Sequence, residues 1–158
     1  MEKKSYQSMM DKYRVRSIQM LTMNEKMVSS YGGIYPFLNV VLKSKERDGD
    51  FFFGKQRCVK CDENKLILIN TRNPKSGVEI IAVGIVTDGG MKEHPTEGSE
   101  QYYCHFAVDS LFVLDTPISG KEYQEFVNER ETFAHNPLVS WALKDDIIKL
   151  IDNHLSQI

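Results

Sequence analysis

The chain reads as an α+β protein, a small closed or covered β-sheet of about six strands with helices at its ends and edges. Three observations carry that expectation. Leu66 to Val86, LILINTRNPKSGVEIIAVGIV, holds two apolar runs split by a polar insert. Both ends of the chain show apolar residues at helical spacing. Between them runs no alternating strand–helix rhythm and no GxGxxG, which argues against a Rossmann-type fold.

Taken in order, Met1 to Ser30 reads as mostly helical, because Tyr6, Met9, Met10, Tyr13 and then Ser17 and Leu21 fall near helical spacing. Six of the seven methionines lie in this segment. A methionine-rich stretch packs on its own domain or docks a partner, and self-packing is the expectation. Tyr31-Gly32-Gly33 breaks it, so residues 1–30 form an N-terminal extension and 31–158 the main domain. Phe37 to Leu42 is a strand, Lys43 to Asp50 a charged loop, and Phe51-Phe52-Phe53 a short strand or loop anchor.

The hairpin follows. Leu66 to Ile69 is continuous and apolar, and Val78 to Val86 is interrupted only by Glu79 and Gly84. A half-buried strand alternates, whereas a continuous run marks a strand covered on both faces. Asn73-Pro74-Lys75-Ser76-Gly77 has turn chemistry. Thr87 to Gln101, with Gly89-Gly90, Pro95 and Gly98, reads as a long surface loop. Tyr102 to Val108 and Leu111 to Leu114 read as strands, the second ended by Asp115-Thr116-Pro117. Ser119 and Glu122 make a capping box for a helix burying Tyr123, Phe126 and Val127. Lys144 to Leu155 is the closing helix, with Asp145 and Asp146 at its positive end and Ile147, Ile148, Ile151 and Leu155 on one face.

The bulk numbers bound the function. A chain of 158 residues fits one domain, and 41% hydrophobic residues supply a core. No run approaches the roughly 18 apolar residues of a membrane helix, and Met1 to Tyr13 does not resemble a secretory signal. A cytoplasmic location without membrane contact is expected. The three cysteines fit a reducing compartment. Cys58 and Cys61 have CxxC spacing, and Cys104 with His94 or His105 would complete a zinc set. A second CxxC or an HxxxH is missing, so plain thiols are expected. The net charge of -2 hides an asymmetry: residues 1–75 carry 15 Lys and Arg against 8 Asp and Glu, and residues 76–158 carry 5 against 14. Such asymmetry fits a nucleic-acid face or mutual neutralisation of the halves.

The order of segments resembles a known family. Val41-Leu42-Lys43-Ser44 comes first. The hairpin with Arg72, Ser76-Gly77 and Ala82-Val83-Gly84-Ile85 comes second, and Phe106-Ala107-Val108-Asp109-Ser110-Leu111-Phe112-Val113-Leu114-Asp115-Thr116-Pro117 third, before a short helix and a closing helix. Over roughly Phe37 to Leu155 this resembles the YTH domains and, more loosely, the EVE domains of the PUA-like superfamily of small β-barrels.

The resemblance implies a non-enzymatic reader of DNA or RNA whose modified, most often methylated, base flips into an aromatic pocket. It also implies a place in modification-dependent restriction or defence, fused to or associated with an effector such as an NTPase or nuclease. Stacking and edge hydrogen bonds offset the cost of unstacking, while cations hold phosphates. Carried over by position, Lys43 and Ser44 match the strand end that opens the pocket, and Lys45 stands where the family often has asparagine. Phe53, Tyr102 and Tyr103 stand in segments where the family keeps cage tryptophans. Candidate base contacts are therefore Ser44, Phe53, Tyr102, Tyr103 and Trp141, and candidate phosphate contacts Lys43, Lys45, Arg57, Arg72 and Lys75. Trp141, the single tryptophan, reads either as a stacking platform or as a core plug beneath the last helix, and the area a large aromatic buries favours the plug. No cofactor, metal or catalytic residue is expected.

Two other functions compete. Glu63-Asn64-Lys65 is an ExK that, with Asp48 or Asp50, could hold a divalent ion and activate water in a small nuclease or hydrolase; it sits in the approach to a strand. A protein-binding scaffold could use the methionine-rich N-terminus. No histidine has a partner at a telling spacing, and no nucleophile–base pair is evident.

Overall fold

The computed structural model describes residues 5–22, 32, 36, 50–55, 64–73, 77–93, 102–127 and 138–155. Three helices and seven strands are defined there: α1 (Gln7–Lys12), β1 (Ser17–Thr22), β2 (Asp50–Lys55), β3 (Lys65–Asn73), β4 (Gly77–Glu93), β5 (Tyr102–Phe106), β6 (Phe112–Ser119), α2 (Gly120–Val127), β7 (Leu138–Val139) and α3 (Lys144–His154). Short 3-10 turns follow β5 and β7, at Val108–Ser110 and Trp141–Leu143. The class is α+β.

All seven strands join one sheet in the order β2-β5-β4-β3-β1-β7, with β6 also paired to β4. The 17-residue β4 organises it. One edge of β4 carries β3 along most of its length, from Asn73 opposite Gly77 to Lys65 opposite Val86. The other edge is shared, β6 taking Glu79 to Val83 and β5 taking Val86 to Glu93. β1 runs parallel to β3, with Ile18 opposite Leu66 and Met20 opposite Leu68. Among the described residues no pairing joins β2 to β7, the two ends of the order.

The two apolar runs form the expected central hairpin. Gly77, opposite Asn73 at the end of the ladder, has φ of 81°, a conformation that glycine adopts without a Cβ penalty. Leu66 to Ile69 and Ile80 to Val86 are buried throughout, as strands covered on both faces must be. Leu66, Leu68, Val83 and Ile85 belong to one continuous cluster with Tyr6 just before α1, Met10 of α1, Tyr123 of α2 and Ile147, Ile148 and Ile151 of α3. All three helices thus cover one face. Ile67, Ile69, Ala82 and Val86 alternate to the opposite face and are equally buried. Each such side chain contributes about 1.5–3 kcal/mol by leaving water, so the hairpin is the energetic centre of the domain.

Three elements differ from the sequence reading. Ser17–Thr22, expected within a helix, is a strand between β3 and β7. Helical spacing ends at Lys12, and Arg14 then takes φ of 51°, which turns the chain into β1. Thr87–Glu93, expected in a loop, continues β4. Gly89-Gly90 falls within a register shift between Val86 and Met91, and pairing with β5 resumes beyond it. Pro117, expected to end its strand, lies inside β6. It occupies the part of β6 between the Val113 and Ile118 pairs, where its missing N–H costs no ladder bond.

The strand expected at Phe37 to Leu42 lies outside the described residues. Phe51-Phe52-Phe53 does form a strand, β2. The capping box is half realised: Glu122 N–H donates to Ser119 Oγ at 3.1 Å, while the Glu122 carboxylate turns to His154.

Candidate functional site

Of the expected base contacts, Phe53, Tyr102 and Tyr103 fall on neighbouring strands. β2 pairs with β5 through Phe52 opposite Tyr103 and Lys55 opposite Tyr102, and Phe53 lies in the irregular step between those pairs. The backbone thus gathers these positions at one end of the sheet. Trp141 lies beyond β7, at the other end of the strand order. Arg72 is on β3 opposite Val78, close to the hairpin turn. Ser44, Lys43, Lys45, Arg57 and Lys75 lie outside the described residues, as do Cys58, Cys61, His94 and the ExK glutamate Glu63.

Trp141 is not the core plug that its size favoured. The residue is 41% exposed, and the Lys144 ammonium stands 5.4 Å from the ring centroid. A short turn explains this: Leu143, two residues on, is the one that turns inward to the helix-covered core. Leu138, 63% exposed, lies in the same segment. Exposed aromatic area beside a cation offers a stacking surface, with cation–π attraction of about 0.5–1 kcal/mol at an exposed site. Lys144 Nζ also lies 3.7 Å from Asp145, which shares its charge.

The sheet face opposite the helices carries a polar cluster that the sequence reading missed. Lys65 is only 6% exposed and Gln19 only 8%. Lys65 Nζ donates to Gln19 Oε1 at 3.0 Å. Ser17 stands directly opposite Lys65 on β1, and its buried Oγ has no hydrogen-bond partner among the described residues. Alternation places Lys65 on the same face as Ile67 and Ile69. That parity is the signal in the sequence, and Lys65 opens β3 rather than lying in the approach to it.

A second missed group joins β6, α2 and α3. His154 Nδ1 lies 2.9 Å from both the hydroxyl and the carbonyl of Thr116, and His154 Nε2 lies 3.0 Å from Glu122 Oε2. No nucleophile–base pair had been evident from the sequence, and this hydroxyl–imidazole–carboxylate set is one in composition. The Nδ1 contact to the Thr116 carbonyl, from the last turn of α3, ties that helix end to β6.

A third group fixes α1. Asp109 accepts hydrogen bonds from Lys12 Nζ and the Tyr13 hydroxyl. Partial burial raises the Asp109 pKa, but the bonds from Lys12 and Tyr13 and the Lys12 charge outweigh it, so the carboxyl sits below its usual range. The buried Tyr6 hydroxyl donates to the Ser110 carbonyl at 2.7 Å, and burial holds that phenol far above its ordinary pKa. Among the described residues, no three His, Cys, Asp or Glu side chains gather as for a metal, and no helix is long and apolar enough to cross a membrane.

Compared with protein-family models, with curated protein sequences and with solved structures, the chain finds no match.

Proposed function

We propose that the protein is a non-enzymatic nucleic-acid-binding module that takes a modified, flipped base against an exposed aromatic surface. The observation that carries this reading is Trp141, a residue 41% exposed, with the Lys144 ammonium 5.4 Å from its ring centre. A buried tryptophan stabilises the fold, whereas an exposed one is available to a ligand π-face. Base stacking on such a ring is worth about 1–3 kcal/mol. The grouping of the Phe53, Tyr102 and Tyr103 positions on paired strands supports a second aromatic wall. The surplus of 15 cationic over 8 acidic residues in the first 75 supports a phosphate-facing side.

On this reading the sheet closes as a PUA-like barrel of the YTH or EVE kind. Closure is what would bring Trp141 towards Phe53 and Tyr103 from opposite ends of the strand order. The protein then acts in the cytoplasm as the targeting part of a restriction or defence assembly, with an NTPase or nuclease partner supplying catalysis.

The test is a gel-shift screen of short DNA and RNA strands, each offered with and without methylated bases, at two salt concentrations. Modification-dependent binding without turnover, weakened by Trp141→Ala, is the expected result. Magnesium-dependent cutting lost in Glu63→Ala would instead establish the nuclease. Absence of binding to every strand would end the reader assignment.

A further inference from the structure

We infer that Arg14 and Arg16 bind backbone phosphates of a single-stranded nucleic acid whose base stacks on Trp141. The inference rests on the nucleic-acid reading above and names its phosphate contacts. The turn between α1 and β1 presents both arginines to solvent, with Val15 buried between them. Among the described residues neither guanidinium meets a carboxylate. The acidic groups around α1 are engaged elsewhere: Asp11 accepts from Gln7 Nε2 at 2.7 Å, and Asp109 accepts from Lys12 and Tyr13. Arg14 takes φ of 51°, where glycine is at ease and a residue with a Cβ is strained. A turn that needed only its shape would be better served by glycine, so the arginine adds a charge there at a cost in stability.

The turn is strapped to the sheet on both sides of Arg14. Asn64 donates its side-chain amide to the Tyr13 carbonyl, and its own carbonyl accepts the Arg16 N–H at 3.1 Å. Groups held in place beforehand lose less freedom when a ligand arrives. Position joins the pair to Trp141. β1 and β7 are antiparallel, with Ile18 opposite Val139 and Gln19 opposite Leu138. The residues before β1 and those after β7 therefore share one end of that ladder. Continued by two steps, the register sets Arg16 level with Trp141, whose ring has the Lys144 ammonium 5.4 Å from its centroid. Lys144 shares its charge with Asp145, whereas the two arginines carry theirs to solvent. An exposed ring beside cations suits a single strand: the ring takes a base by its π-face, and the cations follow the phosphates. A guanidinium also fits two phosphate oxygens at once.

The experiment uses the full chain and short fluorescein-labelled single strands of DNA and of RNA, each with and without one central N6-methyladenine. Fluorescence anisotropy across a salt series gives the affinity and its salt slope for the protein, for Arg14→Gly, for Arg16→Gln and for the double variant. Thermal melts follow the fold. Glycine accepts the Arg14 backbone without strain, so Arg14→Gly should melt close to or above the parent while binding more weakly. Each variant is expected to weaken modified and unmodified strands alike, because phosphate contacts carry no sequence information. The slope of log affinity against log salt should flatten by about 0.7 for each arginine removed. Affinity and slope unchanged in the folded variants overturn this inference alone, since binding that still depends on Trp141 leaves the reader assignment standing. A loss confined to the modified strands also overturns it, because the arginines would then meet the base. No binding of any strand overturns the reader assignment with it.

Discussion

The ring of Phe106 occupies the space where Gly84 has no side chain. A Cβ added to Gly84 would stand 2.5 Å from Phe106 Cδ1, 2.8 Å from Cε1 and 3.1 Å from Leu111 Cδ1. The one glycine interrupting the second apolar run is thereby explained: β4 gives up a side chain so that β5 can bury a phenyl ring beside Val86.

Phe106 is fully buried, so its ring has little room to retreat. Gly84→Ala is expected to destabilise the fold by about 1–3 kcal/mol, the usual cost of overpacking a core. Urea denaturation would measure it. Combining Gly84→Ala with Phe106→Leu should cost less than the sum of the two single changes, because the smaller side chain vacates the space. Strict additivity would contradict the contact.

Much of this packing was legible beforehand because both apolar runs are continuous and bounded by turn residues. The β1 strand was not. Its core, Ile18-Gln19-Met20-Leu21, is buried at four successive positions and shows no alternation. The helical spacing of Tyr6 to Tyr13 runs on through Ser17 and Leu21. Only pairing with Lys65–Asn70 makes those residues a strand, and that contact is remote in sequence. Gly89-Gly90 misled in the same way, since a local breaker signal yielded to pairing with β5. The polar groups were less legible still. Lys65 meets Gln19 across 46 positions, and His154 meets Glu122 across 32.

His154 ties the end of α3 to β6 and α2 through Thr116 and Glu122. His154→Ala is expected to cost about 1 kcal/mol, the net value of such hydrogen bonds. Glu122→Ala should cost less, since its carboxylate is half exposed and one contact is lost rather than the set. A double-mutant cycle should give a positive coupling of a few tenths to about 1 kcal/mol. Zero coupling would show that His154 acts through Thr116 alone.

The Asp109 group predicts a pH dependence. Its carboxyl has a lower pKa folded than unfolded: partial burial opposes this, and the hydrogen bonds from Lys12 and Tyr13 outweigh it. Its contribution is therefore complete above the unfolded carboxylate pKa and is lost as pH falls through the lowered, folded value. Tyr13 is shifted the other way, raised by its bond to Asp109, by burial and by the Asp109 charge. Its contribution holds below the unfolded phenol value and is lost as pH rises through the folded one. Thermal melts of Asp109→Asn should fall below those of the parent at neutral pH and converge with them in acid. The gap should shrink in salt, because Lys12 and Asp109 are both well exposed. A gap that persists unchanged into strong acid would exclude the carboxylate as its source.

Trp141 separates stability from recognition. With 41% of its surface exposed, Trp141→Ala is expected to lower stability only modestly, whereas a plug beneath α3 would cost about 3–5 kcal/mol. Against a modified strand, the same change should weaken binding by about 1–3 kcal/mol, the worth of one stacked base. Phe53→Ala and Tyr103→Ala test the other wall, whose positions are neighbours across β2 and β5. If the sheet closes and both walls hold one base, Trp141→Ala combined with Phe53→Ala should be non-additive, as for two side chains sharing a ligand. Additive losses would mean that the ends of the sheet bind separate nucleotides. A binding loss confined to Phe53 and Tyr103 would leave Trp141 as a surface ring with no ligand.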